Sequence, residues 1–171
     1  IYGASSGVGS AAIQIAKDIG ASVITTVGSE DKIKYAEKMG ADYVINHSEE
    51  EWNQQIKDNT GNLGVNVIVE HPGKVTWKNS MRLLGRGGRL VTCGATTGPK
   101  VEIDLRHLFM KQQTILGSTM SDLQSFNMVM KKIHEKTYRP FVDKTFIIDD
   151  IKNAHKRIEN RQQFGKVVIV S

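Results

Sequence analysis

The sequence is poor in the features that would set it apart from an ordinary globular protein. A single cysteine, Cys93, in 171 residues excludes an internal disulfide and a cysteine-rich structural zinc site. Three prolines and a charged fraction of 24% exclude a proline-rich or charge-dominated disordered chain. No stretch approaches the roughly 18 apolar residues of a membrane span, and no positive-then-apolar leader precedes the first strand. These absences make a cytoplasmic protein with no membrane partner the expectation.

With 39% apolar residues, the chain suits one compact domain, or one domain with an appendage. A chain of this size hides roughly two-thirds of its unfolded surface, enough for a real core. The net charge is +5, but the basic residues are scattered, with only short clusters such as Lys131-Lys132. That argues against a nucleic-acid stripe and leaves some positive charge for an anionic ligand.

Apolar, β-branched runs alternate with amphipathic stretches. The expected strands are 22–27, 43–46, 65–70, 88–93, 114–118, 144–148 and 166–170. Val8, Ala12, Ile15, Ala16 and Ile19 recur at helical spacing and end at Gly20; a second helix is expected over 31–39, ending at Gly40. "GASVI" at 20–24 and "GADYVI" at 40–45 repeat one unit: a helix-ending glycine, a tight loop and a buried strand. Strands with few polar residues, separated by helices, predict an α/β fold. Its parallel sheet is covered on both faces and wound by right-handed crossovers, the doubly wound (Rossmann) arrangement. After about residue 137 the rhythm changes to an isolated strand, a polar-faced helix with Ile151, Ala154, His155 and Ile158 on one side, and the closing "FGKVVIVS". Residues 1–137 are therefore assigned to the dinucleotide-type domain and 138–171 to a short C-terminal strand–helix–strand segment.

The chemistry is concentrated in "IYGASSGVGSAAIQIAK". A glycine-rich turn between a strand and a helix permits positive φ, lets backbone approach a pyrophosphate and aims a helix N-terminus at it. Ser6, Gly7 and Val8 stand at that turn. Read through Gly3, Gly7 and Gly9, the motif resembles the short-chain dehydrogenases. Those need a tyrosine with a lysine four residues on, and Met39, His47 and Val142 follow Tyr35, Tyr43 and Tyr138 at that spacing. That reading fails. In the other register Ala4 and Ser6 replace the first two glycines and Gly9 is the third. This form, together with "GADYVIN", "GGRLVTCGATTG", "LFMKQQTILGS" and "FGKVVI" in the same order, resembles the quinone oxidoreductase branch of the medium-chain dehydrogenases.

An NAD-type site places an acidic residue at the tip of the second strand to accept from the ribose hydroxyls. Here the tip is Val27, followed by Gly28 and Ser29, with Lys32 close behind. A small hydroxyl-bearing turn with a lysine suits a 2′-phosphate, so NADP(H) is expected over NAD(H). Ser29 is also readable as a helix cap, Lys32 as a solvated charge, and Glu30 or Asp31 as a carboxylate that reaches the ribose, though each would repel a phosphate. The resemblance implies that Lys32 contacts the 2′-phosphate and that His47, where relatives often carry tyrosine, lies near it. It further implies that backbone around Cys93, Gly94 and Ala95, and around Ser118 and Met120, holds the nicotinamide carboxamide. Cys93 reads as a small apolar filler rather than a nucleophile. His71 is open to either a cleft or a structural role.

The five histidines show no ligand spacing with Cys93, so no metal site and no catalytic residue are expected within this chain. In the resembled family, a second, β-rich domain carries much of the substrate pocket and, in some members, a catalytic zinc. The resemblance implies that this domain lies outside the sequence, and that residues 138–171 would return to it. It also implies a homodimer through the sheet edge at 114–118. The expected parent is an oxidoreductase passing hydride between nicotinamide and a carbonyl, quinone or activated alkene. A zinc-dependent alcohol dehydrogenase and a non-catalytic dinucleotide-binding module remain the alternatives.

Overall fold

The computed structural model describes residues 1–171. Seven strands form: β1 (Ile24–Val27), β2 (Tyr43–Asn46), β3 (Val65–Glu70), β4 (Leu84–Thr92), β5 (Thr114–Gly117), β6 (Val142–Ile147) and β7 (Lys166–Val170). Seven helices accompany them: α1 (Gly7–Asp18), α2 (Ile33–Lys38), α3 (Trp52–Asn59), α4 (Trp77–Leu83), α5 (Leu105–Met110), α6 (Leu123–His134) and α7 (Ile151–Glu159). Every strand pairing is parallel, and a helix supplies the crossover that each parallel pair needs.

Hydrogen bonding divides the strands into β1-β2, β3-β4-β5 and β6-β7. Residues 1–4 run beside β1: Thr26 N donates to Ile1 O, and Ala4 N to Thr26 O. On their other side, His71 at the end of β3 bonds Tyr2 O. The opening residues thus join the first two sheets, and they continue directly into the glycine turn.

All seven expected strands are present, with shifted ends. β4 starts four residues early because Leu84 and Gly85 are already buried beside β3. The expected helix over 31–39 is a 3-10 turn, Glu30–Lys32, followed by α2. The isolated strand expected near 144–148 is not isolated. β6 pairs in parallel with β7 through the α7 crossover, with Phe146 opposite Ile169 and Ile147 opposite Val170.

Two apolar clusters hold the layers. Tyr2, Ile45, Ile56, Ile68, Trp77, Met81, Leu83, Leu84 and Leu90 bind β2 and β3 to α3 and α4. Ala4, Ile13, Val23, Val27 and Ala36 bind α1 and α2 to β1. The C-terminal segment docks against the second cluster. Tyr35 of α2 meets the Phe141 and Phe164 rings at centroid distances of 4.8 and 5.4 Å. Arg139 N donates to Gln14 Oε1 at 2.8 Å, and Tyr138 Oη to Asp18 at 2.8 Å. Arg157 forks onto the largely buried Asp143, fixing α7 to β6.

Candidate dinucleotide-binding site

The glycine turn is built from short-range constraints. Gly3 has φ +64°, a left-handed conformation that favours glycine. Ser6 takes an extended backbone, and its Oγ accepts from Gly9 N at 2.8 Å, capping α1. A Cβ on Gly9 would fall 2.1 Å from Gly3 O, so the turn closes only over a bare backbone. Ala4, in place of the usual first glycine, is fully buried in the core beneath α1. The amides of Gly7 and Val8 have no protein acceptor. Two free N–H groups at the start of a 12-residue helix form a ready anion cradle. The residues present therefore fit a dinucleotide pyrophosphate.

Lys166, from β7, lies across this turn. A methyl group at Gly7 would fall 2.2 Å from its Nζ. The C-terminal segment is clamped alongside by Gly165 N, which donates to Ser5 O at 2.7 Å. Sequence reasoning used "FGKVVI" only as a family block and missed Lys166; a lysine bracketed by a glycine and a strand was the available signal.

At the tip of β1, Val27 is buried and Gly28 approaches the His47 ring, since a Cβ there would lie 3.3 Å from Nε2. Ser48 Oγ donates to Gly28 O at 3.0 Å, holding the two strand ends together. Ser29 makes no side-chain cap bond, so the capping alternative falls. Glu30 and Asp31 are exposed. Lys32 is not a solvated charge: it is 9% exposed, and its Nζ donates to Arg161 O at 2.6 Å. Burial lowers its pKa, opposed by Asp31 and reinforced by Arg161. His47 is also lowered, first by partial burial and then by the Arg161 and Lys32 charges. Lys32 and Arg161 thus make a cationic corner with the His47 ring beside it. Arg161 escaped the sequence reading, because nothing in "IENRQQ" announces that it returns to β1.

At the C-terminal end of the second sheet, Cys93 follows β4, and its N donates to Glu70 O at 3.2 Å. Cys93 is exposed, which corrects its reading as a core filler: the chain leaves β4 one residue before it, outside the packed layer. Gly94 abuts His71, where a Cβ would lie 3.1 Å from the backbone carbonyl. Ser118 N donates to Thr92 O at 2.9 Å, bringing the end of β5 beside that of β4. Met120, 94% exposed with φ +53°, projects outward. His71 Nε2 bonds Tyr2 O at 3.0 Å beside Gly3, so its observed role is a tie between the glycine turn and the Cys93–Ala95 loop.

The structure therefore gathers Ser6, Gly7 and Val8 at one anion cradle, Gly28, Ser29, Lys32 and His47 at a second corner, and Cys93, Gly94, Ala95 and Ser118 along the neighbouring strand ends. No three His, Cys, Asp or Glu side chains converge as a metal would require, so these residues do not fit a zinc ion.

Comparison with known proteins agrees with this geometry. Residues 7–135 match the family model described as zinc-binding dehydrogenase. A quinone oxidoreductase from Rattus norvegicus is 32% identical over 99% of this chain and 53% of its own length. A crotonyl-CoA reductase from Streptomyces avermitilis is 29% identical over all of this chain and 42% of its own length. A solved structure described as an NAD-dependent alcohol dehydrogenase superposes with a TM-score of 0.92 at 35% identity, over 99% of this chain and 50% of that one. The chain spans about half the length of the relatives it matches.

Proposed function

Since the chain belongs to the zinc-binding dehydrogenase family, within the medium-chain dehydrogenases and reductases, we propose that it is the NADP(H)-binding portion of an oxidoreductase. The bound nicotinamide supplies the hydride chemistry, exchanged with a carbonyl, quinone or activated alkene. The residues of this chain bind and orient. Gly7 and Val8 amides and Lys166 would take the pyrophosphate at the start of α1. Gly28, Ser29, Lys32, His47 and Arg161 would take the 2′-phosphate. Backbone at Cys93–Ala95, Ser118 and Met120 would meet the carboxamide. Residues 138–171 would complete both anion sites, through Lys166 at the glycine turn and Arg161 at the tip of β1.

One observation carries the choice of NADP(H): the tip of β1 has a cationic corner where an NAD site would place a carboxylate. The description of one similar structure as NAD-dependent makes the alternative concrete. Titration with NADPH and NADH tests it, repeated with Arg161→Ala, which leaves the Lys32 bond to the backbone intact. NADPH is expected to bind at least about tenfold more tightly, with Arg161→Ala removing most of that margin. Equal binding of NADH would overturn the phosphate assignment. The quinone oxidoreductase and crotonyl-CoA reductase relatives support the quinone or enone reading and the alcohol dehydrogenase structure supports the alcohol one; turnover assays on the longer protein decide between them.

A further inference from the structure

Glu70 has no solvent exposure and no part in the reading above. Its carboxyl group accepts three hydrogen bonds: from Gly73 N at 2.9 Å and Thr76 Oγ1 at 2.8 Å on one oxygen, and from Ser80 Oγ at 2.6 Å on the other. Ser80 Oγ lies 3.0 Å from the Tyr2 hydroxyl, which donates to it when the Ser80 proton faces Glu70. Burying a carboxyl group is costly unless its acceptors are filled, and here every donor belongs to the β3–α4 turn or to α4, with Tyr2 behind Ser80.

That turn is zipped to the loop after β4. Thr97 N and Oγ1 donate to Pro72 O at 2.8 and 2.7 Å, Val75 N donates to Thr97 Oγ1 at 3.2 Å, and Lys74 N to Gly98 O at 3.2 Å. Gly73, at φ +87°, packs so closely that a Cβ would fall 2.7 Å from Gly98 O and 3.2 Å from Ala95 Cα. The position of Ala95 is therefore inherited from Gly73, and that of Gly73 from Glu70. We propose that Glu70 is a positioning residue which sets the Cys93–Gly98 loop against the nicotinamide end of the cofactor, without touching the cofactor itself. The inference rests on the dinucleotide reading above.

Glu70→Asp and Glu70→Gln separate reach from charge. Aspartate withdraws the carboxyl group by about 1.5 Å. Glutamine keeps the reach, and the Ser80 hydroxyl can turn to Thr76 O, 3.1 Å away, to receive the new amide. Each variant is titrated with the oxidised dinucleotide and with the same molecule lacking nicotinamide (2′-phospho-ADP-ribose, or ADP-ribose should NAD bind better). Glu70→Asp is expected to weaken the whole dinucleotide about tenfold and the truncated one less than twofold, with Glu70→Gln near wild type. Thr97→Val, at an exposed position, cuts the zipper from the other side and is expected to give the same selective loss should Glu70→Asp not fold. Equal weakening of both ligands, or of neither, would overturn the proposal. Wild-type protein that binds both ligands equally well also overturns it while leaving the dinucleotide reading standing. Wild-type protein that binds neither ligand removes both.

Discussion

Lys32 Nζ donates to the backbone carbonyl of Arg161 at 2.6 Å, joining the turn after β1 to the turn after α7 across 129 positions of sequence. The ammonium also lies 5.6 Å from the centre of the Phe164 ring, and Phe164 packs on Tyr35. A residue that looks from sequence like a phosphate ligand is thus also the bolt that holds the C-terminal segment on the nucleotide site. The two roles share one charge, because a cation held at Arg161 raises the potential of the same corner that would receive the phosphate.

The bolt has a measurable strength in the absence of any ligand. Lys32→Met keeps the aliphatic stem but leaves Arg161 O without its charged donor, a loss of about 1.5–3 kcal/mol for a hydrogen bond of this kind. Urea unfolding of the unliganded chain should show that loss. A change below about 0.5 kcal/mol would mean that the bond is not kept in solution, and the lysine would then be free to act as a phosphate ligand alone.

His47 makes the same corner sensitive to pH. Its pKa lies below the ordinary 6.5, so the folded, unliganded chain takes up a proton less readily than the unfolded one. Unliganded stability should therefore fall as pH drops from about 7 through 6.5 toward 5. A bound 2′-phosphate offers the imidazolium a counter-charge and pulls the pKa back up, so with saturating NADPH the fall should shrink. His47→Gln should flatten the unliganded profile over this range. Thermal melts across pH, with and without NADPH, check each sign. An unliganded profile unchanged by His47→Gln would remove His47 from the cluster.

Much of the fold was legible because it is written locally. The two helix-ending glycines, Gly20 and Gly40, both take φ near +90°, and the β-branched runs became strands close to where their composition puts them. The Ser6 cap and the bare-backbone closure at Gly9 are also short-range, so the glycine turn could be found from nine residues. What escaped depends on long-range return. Arg161 and Lys166 reach the site only because α7 and β7 fold back onto α1 and α2, and no periodicity encodes that docking. Glu70 looked like the end of a strand, since a buried carboxyl group is recognisable only once Gly73, Thr76 and Ser80 are seen to converge on it. Cys93 was misread because a small residue ending an apolar run resembles core, whereas the chain turns out of the layer at Thr92.

The β5 edge predicts an assembly. β5 pairs on one side only, with β4, and Leu116 on it is 43% exposed. An unprotected parallel-sheet edge with apolar side chains invites a second copy, and two-fold pairing of this edge would extend the sheet across a dimer. Sedimentation should give twice the 19.0 kDa chain mass. Leu116→Lys, which puts a charge on that apolar edge, should give the single-chain mass. Wild-type protein sedimenting as one chain at high concentration would rule this edge out as a dimer interface.

The two glycines of the glycine turn should differ in stability, though not in binding, when each is given a methyl group. At Gly9 the new Cβ would meet Gly3 O at 2.1 Å and Gly3 C at 2.8 Å. Both are backbone atoms of the opening segment, which is hydrogen-bonded to β1, so the turn itself must open. Overpacking of that kind costs about 1–3 kcal/mol, and the shifted amides would lose the anion, so Gly9→Ala should fail in both stability and cofactor binding. At Gly7 the three nearest atoms all belong to the flexible end of Lys166, which can swing into solvent, and alanine favours the helix that begins there. Gly7→Ala should therefore keep stability within about 0.5 kcal/mol while weakening the dinucleotide, because the methyl group displaces the ammonium from above the amides. Lys166→Met should reproduce that binding defect in an otherwise unchanged turn. If Gly7→Ala binds the cofactor normally, Lys166 does not contribute to the pyrophosphate site, and the anion is held by the Gly7 and Val8 amides alone.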